Sequence, residues 1–387
     1  MRIYDRLYGK LSCSYDDERL FQTPELTRLR RVSLSAVPTW LTPTGVCASK
    51  FEHTVAVGHL ARIVGTVPEF RAIARDLYFA ALAHDLGTPP FSHISEHFLK
   101  RLFKRNHEEF AEEVIDGSEF AEEVLRQGGS VDRILRFITG KESPYSDLLN
   151  GSIDIDNLDN TPRYGHSMGI LRETSLSYSP ESIARKYLLH NGCLYLDGSV
   201  STEVYQWAVC RKKVYRYVHS PPNIVGGTML YRALDFAARA GEIPKSYFTM
   251  TDGEAYRYLL EQCNPRTQVL AQRAMRWQFY ALVFNFRTHT PSEKLREFVE
   301  NLETRSSLPD DLSIAFRIPQ EDICVYCGKS RAWKRIDLPL LFPDADIPAP
   351  VTPLKPVWMV QAYLYPEHAS LNEAVSARVK EVIGCLS

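Results

Sequence analysis

Apolar residues recur at helical spacing over most of the chain between about residues 49 and 300. Ser49 followed by Glu52 forms a capping-box pattern, after which Val57, Leu60 and Val64 line one face until Gly65. Thr66 and Glu69, beside Pro68, repeat the device and predict a second helix with Ile73, Leu77, Ala80 and Ala81 inward. Gly87, Pro89 and Pro90 stop that helix abruptly. EFAEEVI at 109–115 and EFAEEVL at 119–125 read as acidic, solvated helix faces. Further helices are predicted around Thr202–Tyr217, Gly226–Ala240 and Gln268–Phe286, with Thr251 and Glu254 capping a short one, TDGEAYRYLL. Beyond about residue 305 the pattern changes: IAFRI and ICVYC read as short strands, and Pro339, Pro343, Pro348, Pro350, Pro353 and Pro356 mark a surface loop. An amphipathic helix is predicted again from Leu371 to Leu386. The expected architecture is mainly α: an N-terminal arm and first helix (1–48), a helical body (49–300) and a smaller C-terminal α+β lobe (301–387).

Charge and composition narrow the chemistry. With 46 basic and 47 acidic side chains the formal balance is −1, which removes any broad electrostatic attraction to nucleic acid or anionic membrane. RLRR at 28–31 and CRKK at 210–213 are local clusters; the second suits phosphate, the first a surface or subunit contact. No stretch approaches the ~20 apolar residues of a bilayer span, and the N-terminal MRIYDRLYGKL has no apolar core of a secretory signal. Eight scattered cysteines in such a chain are expected as reduced thiols of a cytoplasmic protein. Cys324 and Cys327 make one CxxC with no second pair to complete a zinc site, so a structural role is expected for them.

The candidate chemistry lies among histidines on apolar stripes. His84 shares the stripe of Ile73, Leu77 and Ala80, Asp85 follows one residue on, and His53 aligns with Val57, Leu60 and Val64. Two inward imidazoles and a carboxylate are costly to bury unless something satisfies them. A divalent metal would, and mixed nitrogen and oxygen donors suit Fe, Mn, Zn or Ni, with Mg a further candidate. A fourth ligand is available from SIDIDNLD, which offers Asp154, Asp156 and Asp159.

In order along the chain, TPELTRLRRV, KFEHTVAVGHLA, AALAHDLGTPPFSHISEHF, NHEEFAEEV and SIDIDNLDNTPRYGHSMGI resemble the HD-superfamily phosphohydrolases, most of all the deoxynucleoside triphosphate triphosphohydrolases. VYRYVH and FTMTDGEAYRYL are similar to that group's downstream helices, so the resemblance spans about residues 20–265. It implies an HD-domain helical fold holding one divalent metal ion on His53, His84, Asp85 and Asp156. It implies His107 as proton donor to the leaving nucleoside oxygen, His93 beside the scissile phosphate, and Glu96 and Glu108 as the acidic residues that hold the catalytic histidine. Lys50 stands where an arginine usually precedes FEH, keeping the charge and losing the bidentate fork, and the resemblance implies it as a cation facing the substrate phosphate. Arg211, with Lys212 or Lys213 beside it and Tyr215 on the same helix face, is a candidate phosphate clamp. The implied substrate is a nucleotide, cleaved at the α-phosphorus to nucleoside and triphosphate, and the implied assembly a dimer or larger homo-oligomer.

Departures fall where that family meets its substrate. VSLSAVPTWLTPTGVCASK lacks the usual glutamine and glycine run; Thr88 and Pro89 replace a histidine and a glycine; Asn157, Asn160 and Tyr164 replace a lysine, a tyrosine and an aspartate. Pro162 falls inside what should be a continuous helix and predicts a kink or stop there. Retained metal and acid residues with altered recognition positions imply an active phosphohydrolase of changed substrate choice. Two other readings stay open: the same metal site acting on a cyclic nucleotide, another phosphate ester or a biosynthetic intermediate, and a non-catalytic nucleotide sensor, which has no need of a proton donor at His107.

Overall fold

In the computed structural model the chain opens with a hairpin of β1 (Arg2–Asp5) and β2 (Gly9–Ser12), then α1 (Tyr15–Gln22) and α2 (Pro24–Leu29). The structure describes residues 2–35, 41, 48–171, 177–329, 336–341, 349–351 and 356–384. Cys47, Cys385, Pro343, Pro348, Pro353 and most of the altered recognition segment at 36–47 lie outside the described residues.

Helix α3 (Lys50–Val64) starts at the predicted box: the Ser49 hydroxyl accepts from Glu52 N–H while the Glu52 carboxylate accepts from Ser49 N–H. It packs on α4 (Ala74–Ala83), and the two helices approach closely because Gly65 sits where a Cβ would lie 2.7 Å from that of Ala74. Then come α5 (His93–Phe103), α6 (His107–Ile115), α7 (Glu119–Arg126), α8 (Val131–Ile138), α9 (Asp147–Asn150), α10 (Ile155–Ser167) and α11 (Pro180–Ala184). A core around α3, α4, α8 and α10 includes Leu60, Leu77, Phe137, Leu158 and Trp207, all essentially excluded from solvent.

After β3 (Tyr187–His190) and β4 (Cys193–Asp197) the chain returns to helices α12 (Ser201–Val218), α13 (Pro221–Arg239), α14 (Asp252–Glu261) and α15 (Pro265–Met275). Helix α12 packs into the first core, while α13, α14 and α15 build a second core with α5, including Phe98, Leu234, Tyr247, Leu259 and Leu270. The C-terminal part holds β5 (Ala281–Thr288), α16 (Glu293–Glu300), α17 (Leu302–Phe316), β6 (Ile323–Lys329), β7 (Ile336–Leu341), β8 (Ala349–Val351), β9 (Trp358–Leu364) and α18 (Asn372–Val382). Its main sheet runs β5-β9-β6, both pairings antiparallel, with β9 buried at every position. A second sheet, β3-β4-β7-β8, joins the body to this part through the parallel pairing of β4 with β7. The fold is mainly α with a smaller α+β lobe, and among the described residues no helix is long and apolar enough to cross a membrane.

Several local expectations are corrected. No cap forms at Thr66, whose hydroxyl donates back to the Ile63 carbonyl; a 3-10 turn, Pro68–Ile73, precedes α4. The helix expected over 268–286 ends at Met275, Trp277 adopts a left-handed φ of 57°, and 281–288 becomes strand because β9 needs a partner on that side. The first three residues of IAFRI, 314–316, end α17, whose Leu308 and Leu312, four residues apart, are buried while Ile314 is exposed; Arg317 then turns the chain with a left-handed φ of 54°. The helix α10 continues through Pro162 to Ser167, held by packing on α3 and α12. Pro339 and Pro350 lie within β7 and β8 and not in a loop. Cys324 and Cys327 sit three apart on β6, hence on opposite faces; Cys324 is buried, and burial raises its thiol pKa to about 12. Cys13, Cys193, Cys210, Cys263 and Cys324 are free thiols.

The cap at Ser49 sets the start of the helix that carries Lys50 and His53. Ser49→Ala is expected to cost about 1 kcal/mol locally. Hydrogen exchange should read this as roughly fivefold faster exchange in the first turn of α3, and unchanged exchange would show that Glu52 alone holds the helix start.

Candidate metal centre and catalytic site

His53, on the inward face of α3, is fully buried, and its Nδ1 donates to Asp159 Oδ2 at 2.7 Å. His84 caps the C-terminus of α4 and donates from Nδ1 to the Ala81 carbonyl at 2.7 Å. Because that carbonyl only accepts, His84 carries a proton on Nδ1, and in the neutral imidazole its Nε2 is a lone pair. The two Nε2 atoms then face each other at 3.3 Å. Asp156, in the first turn of α10, places Oδ1 at 2.9 Å from His53 Nε2. Ligand atoms of His53, His84 and Asp156 all lie within 4.8 Å of one another. Asp85 Oδ2 completes the group at 3.2 Å from His84 Nε2 and 3.7 Å from His53 Nε2.

Asp85 is aimed by its other oxygen, which accepts from Lys50 Nζ at 2.8 Å and from the Thr88 hydroxyl at 2.7 Å. Burial alone would raise the Asp85 pKa; the charges of Lys50, His84 and His53 overcome it and hold the carboxyl well below the usual range. Burial likewise works against ionisation of Asp156, and the His53 hydrogen bond and charge reverse it. For His53, burial lowers the pKa, but hydrogen bonds and charges of Asp156 and Asp159 raise it to about 9. Asp159 stays ionised against the effect of burial because Arg163 grips it with Nε at 2.8 Å and Nη2 at 2.9 Å. Arg163 is itself held by Asp5 at 2.8 Å, so the N-terminal hairpin closes over the back of the centre.

These residues fit a divalent cation. Asp85 Oδ2 is buried with no hydrogen-bond partner, and it points at two imidazole nitrogens. Both Nδ1 atoms are engaged by acceptors, the arrangement that fixes the tautomer and orientation of a metal-ligating histidine. Nitrogen and carboxylate donors suit Fe, Mn, Zn, Ni or Mg, and the donor set does not choose among them.

Beside this group, His107 begins α6 and His93 begins α5. Glu96 bridges them, accepting from His107 Nδ1 at 2.6 Å and from His93 Nδ1 at 2.8 Å, with the rings 6.4 Å apart. Burial pulls the His107 pKa down, but the Glu96 bond and charge, with the charge of Asp85, make the net shift upward. Glu108 does not hold His107: the imidazole is held by Glu96, and burial raises the Glu108 carboxyl. Gly87 brings the turn after Asp85 against α6, since a Cβ there would lie 2.1 Å from the His107 carbonyl oxygen and 2.5 Å from Ala111 N.

Arg211, on α12, is buried and donates to Asn157 Oδ1 at 2.8 Å, with its guanidinium 4.4 Å from the Tyr215 ring centroid. Asn157 turns its amide nitrogen to Asp154, which caps α10, so Arg211 is tied to the helix start that carries Asp156. Lys212 and Lys213 are exposed. Lys50 is buried against Asp85. From the sequence, Asp159 reads only as an alternative ligand, Thr88 only as a departure and Gly87 only as a helix stop, while Arg163 and Asp5 carry no assigned role. The spacing Asp156, Asp159, Arg163 puts all three on one face of α10 and carried that signal.

Asp159→Asn keeps the shape and removes the charge behind His53. It is expected to weaken Mn binding about 10–100-fold in a calorimetric titration; unchanged affinity would remove Asp159 from the metal centre. Gly87→Ala must push α6 from the turn and is expected to cost about 1–3 kcal/mol, read by thermal denaturation.

A family model described as HD domain matches residues 51–162. The chain is 34% identical over 161 residues to the uncharacterized protein YwfO of Bacillus subtilis, covering 39% of this chain and 36% of that protein. It is 30% identical over 192 residues to the deoxynucleoside triphosphate triphosphohydrolase SAMHD1 homolog of Dictyostelium discoideum, covering 43% of this chain and 36% of that protein. The match thus spans little more than a third of the length of each. In fold, the chain is similar to a hypothetical protein from Aquifex aeolicus, with a TM-score of 0.72 over 98% of this chain and 100% of the other at 20% identity. Residues 51–162 thus match the HD domain, and His53, His84, Asp85 and Asp156, which converge in this structure, all lie within the matched stretch.

Proposed function

We propose that this protein is a metal-dependent phosphohydrolase acting on a nucleoside triphosphate or a related nucleotide at the α-phosphorus. The observation that carries the reading is the juxtaposition of the buried donor set with the Glu96–His107 pair. When bound, a divalent cation supplies a water of lowered pKa and charge stabilisation at a phosphoryl oxygen. His53, His84, Asp85 and Asp156 would hold it, and Lys50 holds the Asp85 carboxylate ready.

His107 is the proton donor. Its Nδ1 is bonded to Glu96, which leaves Nε2 as the nitrogen that delivers a proton to the departing ester oxygen. The upward pKa shift keeps the imidazole protonated further into the neutral range. His93, on the second oxygen of Glu96, stands at the first residue of α5, and Arg211 supplies a guanidinium beside α10. The first turns of α5, α6 and α10 carry His93, His107 and Asp156, so three positive helix ends share this region and favour an anionic ligand. The SAMHD1 homolog of Dictyostelium, named a deoxynucleoside triphosphate triphosphohydrolase, supports the nucleotide class. The proposal also includes a homo-oligomer of two or more copies, which sedimentation of the purified chain reads directly.

A nucleotide panel with product identification by mass spectrometry, run with Mn, Fe, Mg and Zn, tests the reading; no phosphate, triphosphate or nucleoside released from any member would remove it. His107→Gln is expected to lower kcat about 10²–10⁴-fold with little loss of metal affinity. Because donation needs the imidazolium, turnover should fall as pH rises through the elevated His107 pKa. Glu96→Gln removes the charge that raises it and leaves burial to act downward, so the alkaline limb should move to lower pH.

A further inference from the structure

Two residues before α5 have a backbone that side chains avoid. Phe91 has φ 60°, and Ser92 has φ 49° with ψ −125°, conformations that glycine populates readily. Neither residue is glycine, and Phe91 is wholly buried in the second core. Such a turn persists only where its surroundings over-determine it. The next residue is His93, and Glu96 follows one turn on.

The surroundings come from far along the chain. Asp252, the first residue of α14 and buried, turns Oδ1 to Phe91 N–H at 2.8 Å across 161 residues. Its Oδ2 accepts from Ser33 N–H at 3.0 Å and the Ser33 hydroxyl at 2.6 Å. The Ser92 hydroxyl donates to the Ser33 carbonyl, closing a loop of bonds through the strained turn. Asp252 N–H is anchored on the Arg31 carbonyl at 3.0 Å. Arg28 ties the same strands of chain together from the other side, donating to the carbonyls of Leu86, Thr88 and Met250 at 2.6, 3.0 and 3.3 Å.

We propose that Asp252 is a positioning residue whose buried carboxylate clamps the Phe91–Ser92 turn and so fixes the direction in which α5 presents His93 and Glu96. Its catalytic consequence rests on the phosphohydrolase reading above; the clamp itself does not. One carboxylate satisfies an amide of the turn and two donors of the segment before α3, and no amide or neutral group of that size accepts all three with the same strength. Loss of the charge frees the turn to relax toward negative φ, which swings the first residues of α5 and takes Glu96 out of line with His107.

The test uses the full chain, loaded with Mn for turnover and with diamagnetic Zn for the resonances. In Asp252→Asn, kcat should fall at least about tenfold while KM stays within about threefold, and the hydrogen-bonded ring N–H resonances of His93 and His107 should move or broaden. Ser92→Gly in that background should restore most of the lost rate and return both resonances, because glycine needs no clamp in this conformation. Ser33→Ala, which removes one donor, should show a smaller change in the same direction and decides the matter if Asp252→Asn does not fold. Wild-type kcat and resonances in a folded Asp252→Asn overturn the proposal, as does a rate loss with unmoved resonances that Ser92→Gly leaves uncorrected. A wild-type protein without turnover removes the phosphohydrolase reading and leaves the resonances to decide the clamp.

Discussion

Two imidazoles brought nitrogen to nitrogen inside a helical core set the terms for everything around them. His53 and His84 come from different helices, and their Nε2 atoms stand 3.3 Å apart with essentially no solvent at His53. That contact exists because α3 and α4 pack closely, with no side chain on Gly65 to hold Ala74 away. Each ring is fixed by an acceptor on Nδ1, and each acceptor is fixed in turn: the Ala81 carbonyl by its helix, Asp159 by Arg163, and Arg163 by Asp5. The order is nested, and it explains why a hairpin at the very start of the chain belongs to the architecture of a centre built more than forty residues later.

The legible part of this arrangement was the part written in local periodicity. His53 and His84 could be assigned to inward faces because their apolar neighbours repeat at helical spacing, and the caps at Ser49 and Thr251 were readable from residue types three apart. The hairpins β1–β2 and β3–β4 were not, since four- and five-residue strands of mixed polarity stay folded only on a surface supplied by distant helices. The segment 281–288 carries enough apolar residues to continue a helix, and the demand of β9 for an antiparallel neighbour decides otherwise. Pro162 illustrates the reverse case: one lost backbone bond is outweighed by burial of α10 against α3 and α12.

In the catalytic region, residue types were legible and roles only partly so. Lys50 reads as a phosphate-facing cation from its place before FEH, yet the structure turns its ammonium onto Asp85. A lysine suits that place, because a compact point charge fits between a buried carboxylate and its helix where a planar guanidinium would need room for a second partner. Asn157 similarly reads as a lost substrate contact and instead links Arg211 to the cap of α10. Substituted recognition positions thus acquired packing partners, which is why substrate choice is the least readable property of the chain.

The charge count ties the centre to a cation independently of any resemblance. Asp5, Asp85, Asp156 and Asp159 bring four negative charges within one bonded network, and Lys50 and Arg163 bring two positive ones, so 4 − 2 leaves two unmatched. A proton on His53 supplies one, which is the physical origin of its pKa near 9. It supplies nothing to Asp85 Oδ2, which stays buried without a hydrogen bond. A dication supplies both charges at one point and gives that oxygen a partner. Only then is the region neutral, and only a neutral region with three helix N-termini nearby is prepared to accept further negative charge from a phosphate.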